Sequence, residues 1–483
     1  MTPLRGFIGP SAQGQFTAVN AERTVNWYLG KAAIAGGTPR SAEWLLGTPG
    51  LVAVGTAGTG PHRAAFQQDG RSFLISGTGF YEFFSDHSVT LRGTVAAGTD
   101  MGTIVSNGDA GGQLLVVVGG YGYVYNKTTN ILTQIADPDF PQGTASMCCF
   151  LDGYGIVLQS SASTFQISAL EDFTSWDALD VAQKSQTSDR LVALAVDFDH
   201  KVLWLFGSQN TEVWWDAGGT FPFEPVPNSI ISLGLSSPFG VSQPTEGIVW
   251  IGENSDGGRA IWSAQGSASK RVSTSAVEVA LSDYSTVNDC STFEYIWRGH
   301  VFSVFLFPTA DACWVYDNTT EQWHEWLSWN VRDGDWHLPL ARTHIFAFEY
   351  HYVGSATDGT IYELSANTAA DGSQTLRRLR RSPHVVGDGS WITCHRLRFD
   401  FQSGVGTSGQ GATPQAMVRI SRDGGKTFGD ERWVPLGATG AYTTRAELRR
   451  NGRWRDGVIE VVVTDPVVTA MVGAWGDFEG AAA

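Results

Sequence analysis

The sequence predicts an all-β protein: a β-propeller of about seven repeat units followed by a small antiparallel β-sandwich or barrel. Three observations lead there. Its 483 residues include 57 Gly, 18 Trp, 26 Phe and 13 Tyr with only 17% charged side chains, where an average soluble chain has about 7% Gly and 25% charged residues. So many rings need a packed interior, and so many glycines need turns. One phrase, an apolar run, a turn rich in Asp, Glu or Gly and a strand bearing Tyr or Trp, recurs between about residues 60 and 365. Beyond residue 390 the chain changes to period-two alternation, the mark of strands with one buried face.

The copies of the phrase begin at His62, Gly102, Ser146, Val192, Phe239, Ser291 and Thr343. Repeats of roughly 40–50 residues with three or four short strands each are the signature of propeller blades. Within them, the central turns Asp69-Gly70, Gly111-Gly112, Asp152-Gly153, Asp199-His200, Glu246-Gly247, Arg298-Gly299 and one near Tyr350 separate the apolar runs, and D-G, G-G or E-G pairs between such runs read as hairpin turns. Aromatic residues in the later strands, Phe80-Tyr81, Tyr123–Tyr125, Val213–Trp215 and Trp314–Tyr316, are expected to pack between blades. No long amphipathic helix is evident, and the best short candidate lies near Leu179–Leu191. These patterns divide the chain into an N-terminal arm and propeller closure (1–60), the propeller (61–366), an Arg-rich linker (367–390) and a C-terminal sandwich (391–483). The last of these holds six alternating runs, starting with RLRFDF and ending with VTAMVGAW.

Net charge is −16, which argues against a protein that grips DNA over its whole surface, because phosphate contacts need a basic footprint. The charge is unevenly spread. Leu376–Arg455 carries 14 Arg and Lys426 against six acids, a net +9 that leaves −25 on everything else. The sharpest feature is Arg377, Arg378, Arg380 and Arg381 at the expected boundary. Four cations on a linker suit docking on an acidic subunit surface better than DNA, and they are subunit-contact candidates. Five Cys without a C-x-x-C call for no disulfide framework. MTPLRGFIGP has no charged n-region or apolar h-region, and no apolar run approaches 18 residues, so neither export nor a membrane span is expected.

Several motifs come close to known chemistry without completing it. Gly425-Lys426-Thr427 lacks the first Gly of a phosphate loop. Gly404, Gly406 and Gly409 fit G-x-G-x-x-G, but Pro414 and a strand follow where a helix N-terminus would be needed. Ser421–Phe428 fits S-x-D-x-G-x-T-F, resembling the Asp box of sialidase-type propellers, a turn that folds rather than reacts. Asp137/Asp139, Asp197/Asp199 and Asp333/Asp335 sit in turns where Asp bonds its own backbone. The ten His show no metal-ligand spacing, and no G-x-S-x-G elbow occurs. No catalytic, cofactor or metal residue is expected, which favours a structural or binding role.

A family resemblance rests on the two ends of the chain. ERTVNWYLG, with Arg23, Asn26 and Tyr28, then Gly47, Thr48, Pro49, Gly50 and Leu51, and RISRDGGKTFGDERWVPLG near the C-terminus, resemble the packaged-DNA stabilisation or tail-hub (nozzle) family of short-tailed bacteriophages. Leu29-Gly30 departs from that pattern, where a Pro and an acid are expected. The resemblance implies a non-catalytic virion tail protein assembled in the bacterial cytoplasm. It would form a ring of six copies below the portal-adaptor proteins and beside tail fibre, spike or needle proteins. Double-stranded DNA would be retained above it and later pass through without sequence-specific binding. An acidic wall suits that passage, since like charge prevents sticking. Two other readings are a carbohydrate-binding propeller or tailspike-like glycosidase, and a monomeric interaction scaffold.

Overall fold

The structure is a computed structural model that describes residues 1–32, 41–160, 162–184, 186–187, 189–245, 247–253, 257–266, 268–387 and 389–480. Seven consecutive antiparallel sheets follow one another along the chain. Blades 1 to 4 are four-stranded meanders beginning at the strands His62–Gln68, Thr103–Ser106, Ala145–Leu151 and Leu191–Asp197. Blade 5 is built on Val249–Glu253, Arg259–Gln265 and Ala268–Arg271, with two short pieces, Gly234–Leu235 and Val241–Ser242, along its inner side. Blade 6 starts at Ser291–Trp297 and blade 7 at Ala341–Ala347.

Three of the central turns have the paired geometry of a two-residue loop, whereas at Asp199-His200 the positive φ falls on Lys201 alone (+53°), Gly111 ends a short helix capped by Gly112, and Glu246 lies outside the described residues. Asp69-Gly70 has φ +55° and +73°, Asp152-Gly153 has +47° and +91°, and Arg298-Gly299 has +50° and +83°. Two successive positive values match the right-handed twist of the flanking strands. Blades pack face to face through the rings they carry: Phe73 and Phe80 of blade 1 close on Tyr125 of blade 2, with centroids 5.1 and 5.3 Å away. Trp204 and Phe206 of blade 4 meet Trp250 of blade 5 at 5.9 and 5.6 Å. Each fully buried side chain of this kind contributes about 1.5–3 kcal/mol.

Blade 7 has only three strands of its own. Its outer strand is Gly50–Thr56, which pairs with Thr360–Ser365 in register Leu51↔Leu364, so the N-terminal segment closes the ring on the last blade. Blade 6 is open in another way. Its outer strand Gln322–Glu325 pairs in parallel with Arg23–Val25, and that strand pairs antiparallel with Arg378–Arg381. The sheet continues through Asp456–Val463, Gln415–Ser421 and Arg432–Pro435, making one ten-stranded sheet that is blade at one end and sandwich at the other. The second sandwich sheet has the order Trp27–Lys31, Glu43–Gly47, Ala470–Gly480, Ile392–Phe401, Ala446–Trp454. Between the two sheets lie Trp27, Leu45, Leu397, Phe399, Val418, Ile459, Val461 and Trp454, all buried.

Two expectations need correction. Leu179–Leu191 is not helical: Leu179 belongs to the strand Asp172–Gln183 and Leu191 begins the next blade. The longer of the two α-helices among the described residues is Ser275–Asp283, with Val277 and Leu281 buried against blades 5 and 6; nine residues with mixed spacing left too weak a period to stand out. Finally, the Arg-rich segment is not a linker, because Arg378–Arg381 is an interior strand with partners on both sides.

Candidate functional site at the interdomain junction

The residues that sequence analysis singled out converge on one place, the seam between blade 6 and the sandwich. Arg23↔Arg381, Thr24↔Arg380 and Val25↔Leu379 are direct register partners, so the N-terminal motif and the Arg cluster form one two-stranded unit. Asn26 follows with φ +57°, a left-handed conformation that Asn adopts more readily than most residues. Its Nδ2 donates to Leu327 O at 2.6 Å and Arg377 O at 2.7 Å, and its Oδ1 accepts from Leu327 N at 3.0 Å. Asn26 O accepts from Thr48 N at 3.1 Å. One amide thus ties together the arm, blade 6 and the sandwich strand.

Tyr28 lies against blade 6, its ring 5.1 Å from His300 and 5.2 Å from Phe302. Burial pushes its phenol up to about 12. Gly47 is required by contact: a Cβ there would stand 2.7 Å from Arg378 Nε. Thr48, Pro49 and Gly50 are buried in the passage to the propeller, and Leu51 O accepts from Gly372 N at 3.1 Å. The departure at Leu29-Gly30 also has a local cause. Leu29 enters the sandwich core, and Gly30 faces Trp44 across the hairpin, where the indole fills the space a Cβ would need.

Three of the four Arg expected at a subunit contact are bonded within the chain, and Arg377 is half-buried. Arg380 is fully buried and spends all five guanidinium N–H groups inside the chain, on Phe7 O, Pro10 O, Gly6 O, Thr24 Oγ1 and Glu22 Oε1 at 2.6–2.9 Å. Arg378 is 2% exposed, donates to Val467 O at 2.9 Å, and burial lowers its guanidinium to about 10. Arg381 and Arg419 share the carboxylate of Glu460, which stays below the usual carboxylate range although burial alone would raise it. Phe428 of the Asp box covers that triad, 4.8 Å from Arg381 and 5.4 Å from Arg419. Arg377 stacks on Trp329 at 4.0 Å. On the other strand Arg23 grips Glu325 with Nε and Nη2 at 2.6–3.0 Å. Charge clustering was visible in the sequence; its carboxylate partners, 41 to 358 positions away, were not.

The Asp box holds its own hairpin. Asp423 accepts from Lys426 N at 3.1 Å, Thr427 N at 2.9 Å, Thr427 Oγ1 at 2.5 Å and Ser421 Oγ at 2.7 Å, which lowers its carboxyl well below the usual range. A second feature is the propeller channel, a cavity of about 460 Å3 lined by the innermost strands. Glu294 of blade 6 and His344 of blade 7 face into it. Among the described residues no cluster of three or more His, Cys, Asp or Glu could hold a metal.

The architecture defines a class: a two-domain, all-β protein in which a seven-bladed propeller and a sandwich are joined by a continuous sheet. The chain belongs to the family of bacteriophage P22 Gp10: residues 31–369 match the Gp10 β-propeller and residues 377–460 the Gp10 β-sandwich. It is accordingly a phage structural tail protein and a component of the virion. No curated protein matches the chain. Among solved structures, virginiamycin B lyase from Staphylococcus aureus is similar at 10% identity and TM-score 0.42, over 63% of this chain and 94% of the lyase. The extracellular domain of the one-component system BT4673 from B. thetaiotaomicron is similar at 12% identity and TM-score 0.43, over 80% and 47%. Both likenesses are distant.

Proposed function

We propose that the protein is the hub or nozzle of a phage tail: copies form a ring below the portal-adaptor proteins that holds packaged DNA in the capsid and conducts it during ejection, without catalysis. The observation that carries this reading is the family match over both domains, supported by the continuous sheet between them. A DNA conduit under load must not hinge open, and a blade that runs on into the sandwich through Arg23–Val25 and Arg378–Arg381 leaves no flexible joint there. The charge agrees: −25 outside the basic module makes a surface along which a polyanion slides.

Six copies, contacts with the adaptor and with fibre, spike or needle proteins, and assembly in the host cytoplasm complete the proposal. Light scattering and negative-stain class averages of the protein, alone and with its adaptor, test it. A six-fold ring with a central hole is the expected result. A monomer under both conditions sinks the nozzle reading in favour of a scaffold or a sugar-binding propeller.

A further inference from the structure

Two exposed features lie away from the junction and complement each other. The strand Asp172–Gln183 is the outer edge of blade 3 and, at 12 residues, the longest strand of the described residues. It pairs with Thr164–Ala169 in two pieces: Gln166 faces Val181, but Ser168 faces Trp176. The four residues between, Asp177-Ala178-Leu179-Asp180, are thrown out as a bulge. Leu179 is 86% exposed, the most exposed large apolar side chain among the described residues. Bulges re-aim side chains, and this one turns Leu179 out to solvent between two carboxylates. Asp177 and Asp180 flank the leucine, and Asp180 is pushed above its ordinary value by partial burial and by Asp177 beside it.

The other feature is the open edge of the sandwich. Ala446–Trp454 and Arg432–Pro435 are the outermost strands of their two sheets. Arg432 laces them together, donating to Asn451 Oδ1 at 2.7 Å and Arg449 O at 2.6 Å. Along this edge Arg449 and Arg453 are exposed and Trp433 is 51% exposed. Among the described residues no carboxylate stands within 4 Å of Arg453, and Arg449 has only Glu447, at 4.0 Å. Tryptophan amid arginine is the composition of interface hot spots.

We propose that the Asp177–Asp180 bulge of one copy seats on the sandwich edge of a second copy of this chain, Leu179 against Trp433 and the two carboxylates toward Arg449 and Arg453. Charge complementarity selects that occupant, since the exposed Arg449 and Arg453 stand on a chain whose net charge is −16 and whose bulge carries Asp177 and Asp180. The contact joins two different patches, so it is heterologous and closes into a ring when the rotation fits. The inference rests on the ring reading above. Neither patch belongs to the interdomain seam, so both can be altered without loosening the fold.

The experiment mixes Leu179→Cys protein with Trp433→Cys protein under oxidation, with particle mass followed by light scattering. The five native cysteines are buried and do not compete. A disulfide-linked pair containing one chain of each variant is expected. Asp177→Arg/Asp180→Arg should weaken association at least tenfold with an unchanged thermal melt, and Arg449→Asp/Arg453→Asp in the same chain should restore it. Wild-type rings with no mixed cross-link and no response to charge reversal overturn this contact and leave the ring reading standing. Wild-type protein that stays monomeric, with or without adaptor, overturns both. If Arg449→Glu/Arg453→Glu keeps the ring but loses affinity for a short DNA duplex, the edge is a DNA contact and the proposal fails.

Discussion

Arg380 shows how one side chain can hold two distant segments. Its five donors fasten residues 6–24 to the sandwich, so its loss strands Glu22 and several carbonyls in the interior. Removing one partner of a buried pair costs about 3–5 kcal/mol. Arg380→Met is therefore expected to lower stability by about that amount, read as a shift in the urea midpoint, and Arg380→Lys, with fewer and differently placed donors, should recover little of it. Asn26→Ala removes three bonds and puts a less tolerant residue at positive φ, for an expected loss of about 2–3 kcal/mol. Cysteine reactivity gives a third test. Burial raises the Cys148 thiol to about 12 and Cys394 to about 11, and all five cysteines are buried and unpaired. A thiol reagent should find none quickly in the native protein and five after unfolding; fast labelling of the native protein would contradict the packing.

At the scale of elements, the inner strand of blade 6 carries a pH signature. Burial in the channel pushes Glu294 from its ordinary 4.5 up to about 7, against the opposing bonds from Gln243 N and Ser242 Oγ. Its folded form holds a proton that the unfolded chain has released, so its contribution to stability falls as pH rises from about 4.5 to about 7 and stays low above. Glu294→Gln should then stabilise the protein at pH 8 by on the order of 2 kcal/mol and hardly at pH 4, as urea unfolding at the two values will show. His324 works in the other direction. Burial lowers it from 6.5 to about 4, so its contribution is lost as pH falls through that window. The closing strand Gly50–Thr56 sits at the same scale: its backbone completes blade 7, and Leu51 lies in the core shared by blades 6 and 7 and the sandwich.

For the whole molecule, the continuous sheet predicts one cooperative event. Residues 1–47 supply strands to both sandwich sheets, and the next strand closes the propeller, so neither domain is complete without the arm. Calorimetry should show a single unfolding transition, and two resolved transitions would contradict an interlocked fold. Deletion of the first 56 residues should abolish soluble folded protein instead of yielding an open propeller.

The blades were legible in the sequence because a strand's needs are local. Alternation and aromatic rings in the later strands recur along the propeller, and paired positive-φ turns such as Asp69-Gly70 occur in blades 1, 2, 3, 6 and 7. The short helix Ser275–Asp283 and the bulge at Leu179 were missed because each is decided by neighbours from other strands rather than by its own period. The Arg cluster was the most visible feature and the most misleading. A run of cations looks solvated until its partners are known, and Glu22 and Glu460 stand 358 and 79 positions from Arg380 and Arg381. By itself the sequence determined the strands, the repeat and the uneven charge. Only the tertiary structure decided that the first residues belong to the last domain and that the charged strand lies inside, because buried charge is stable only where folding brings its counter-charge and carbonyls to it.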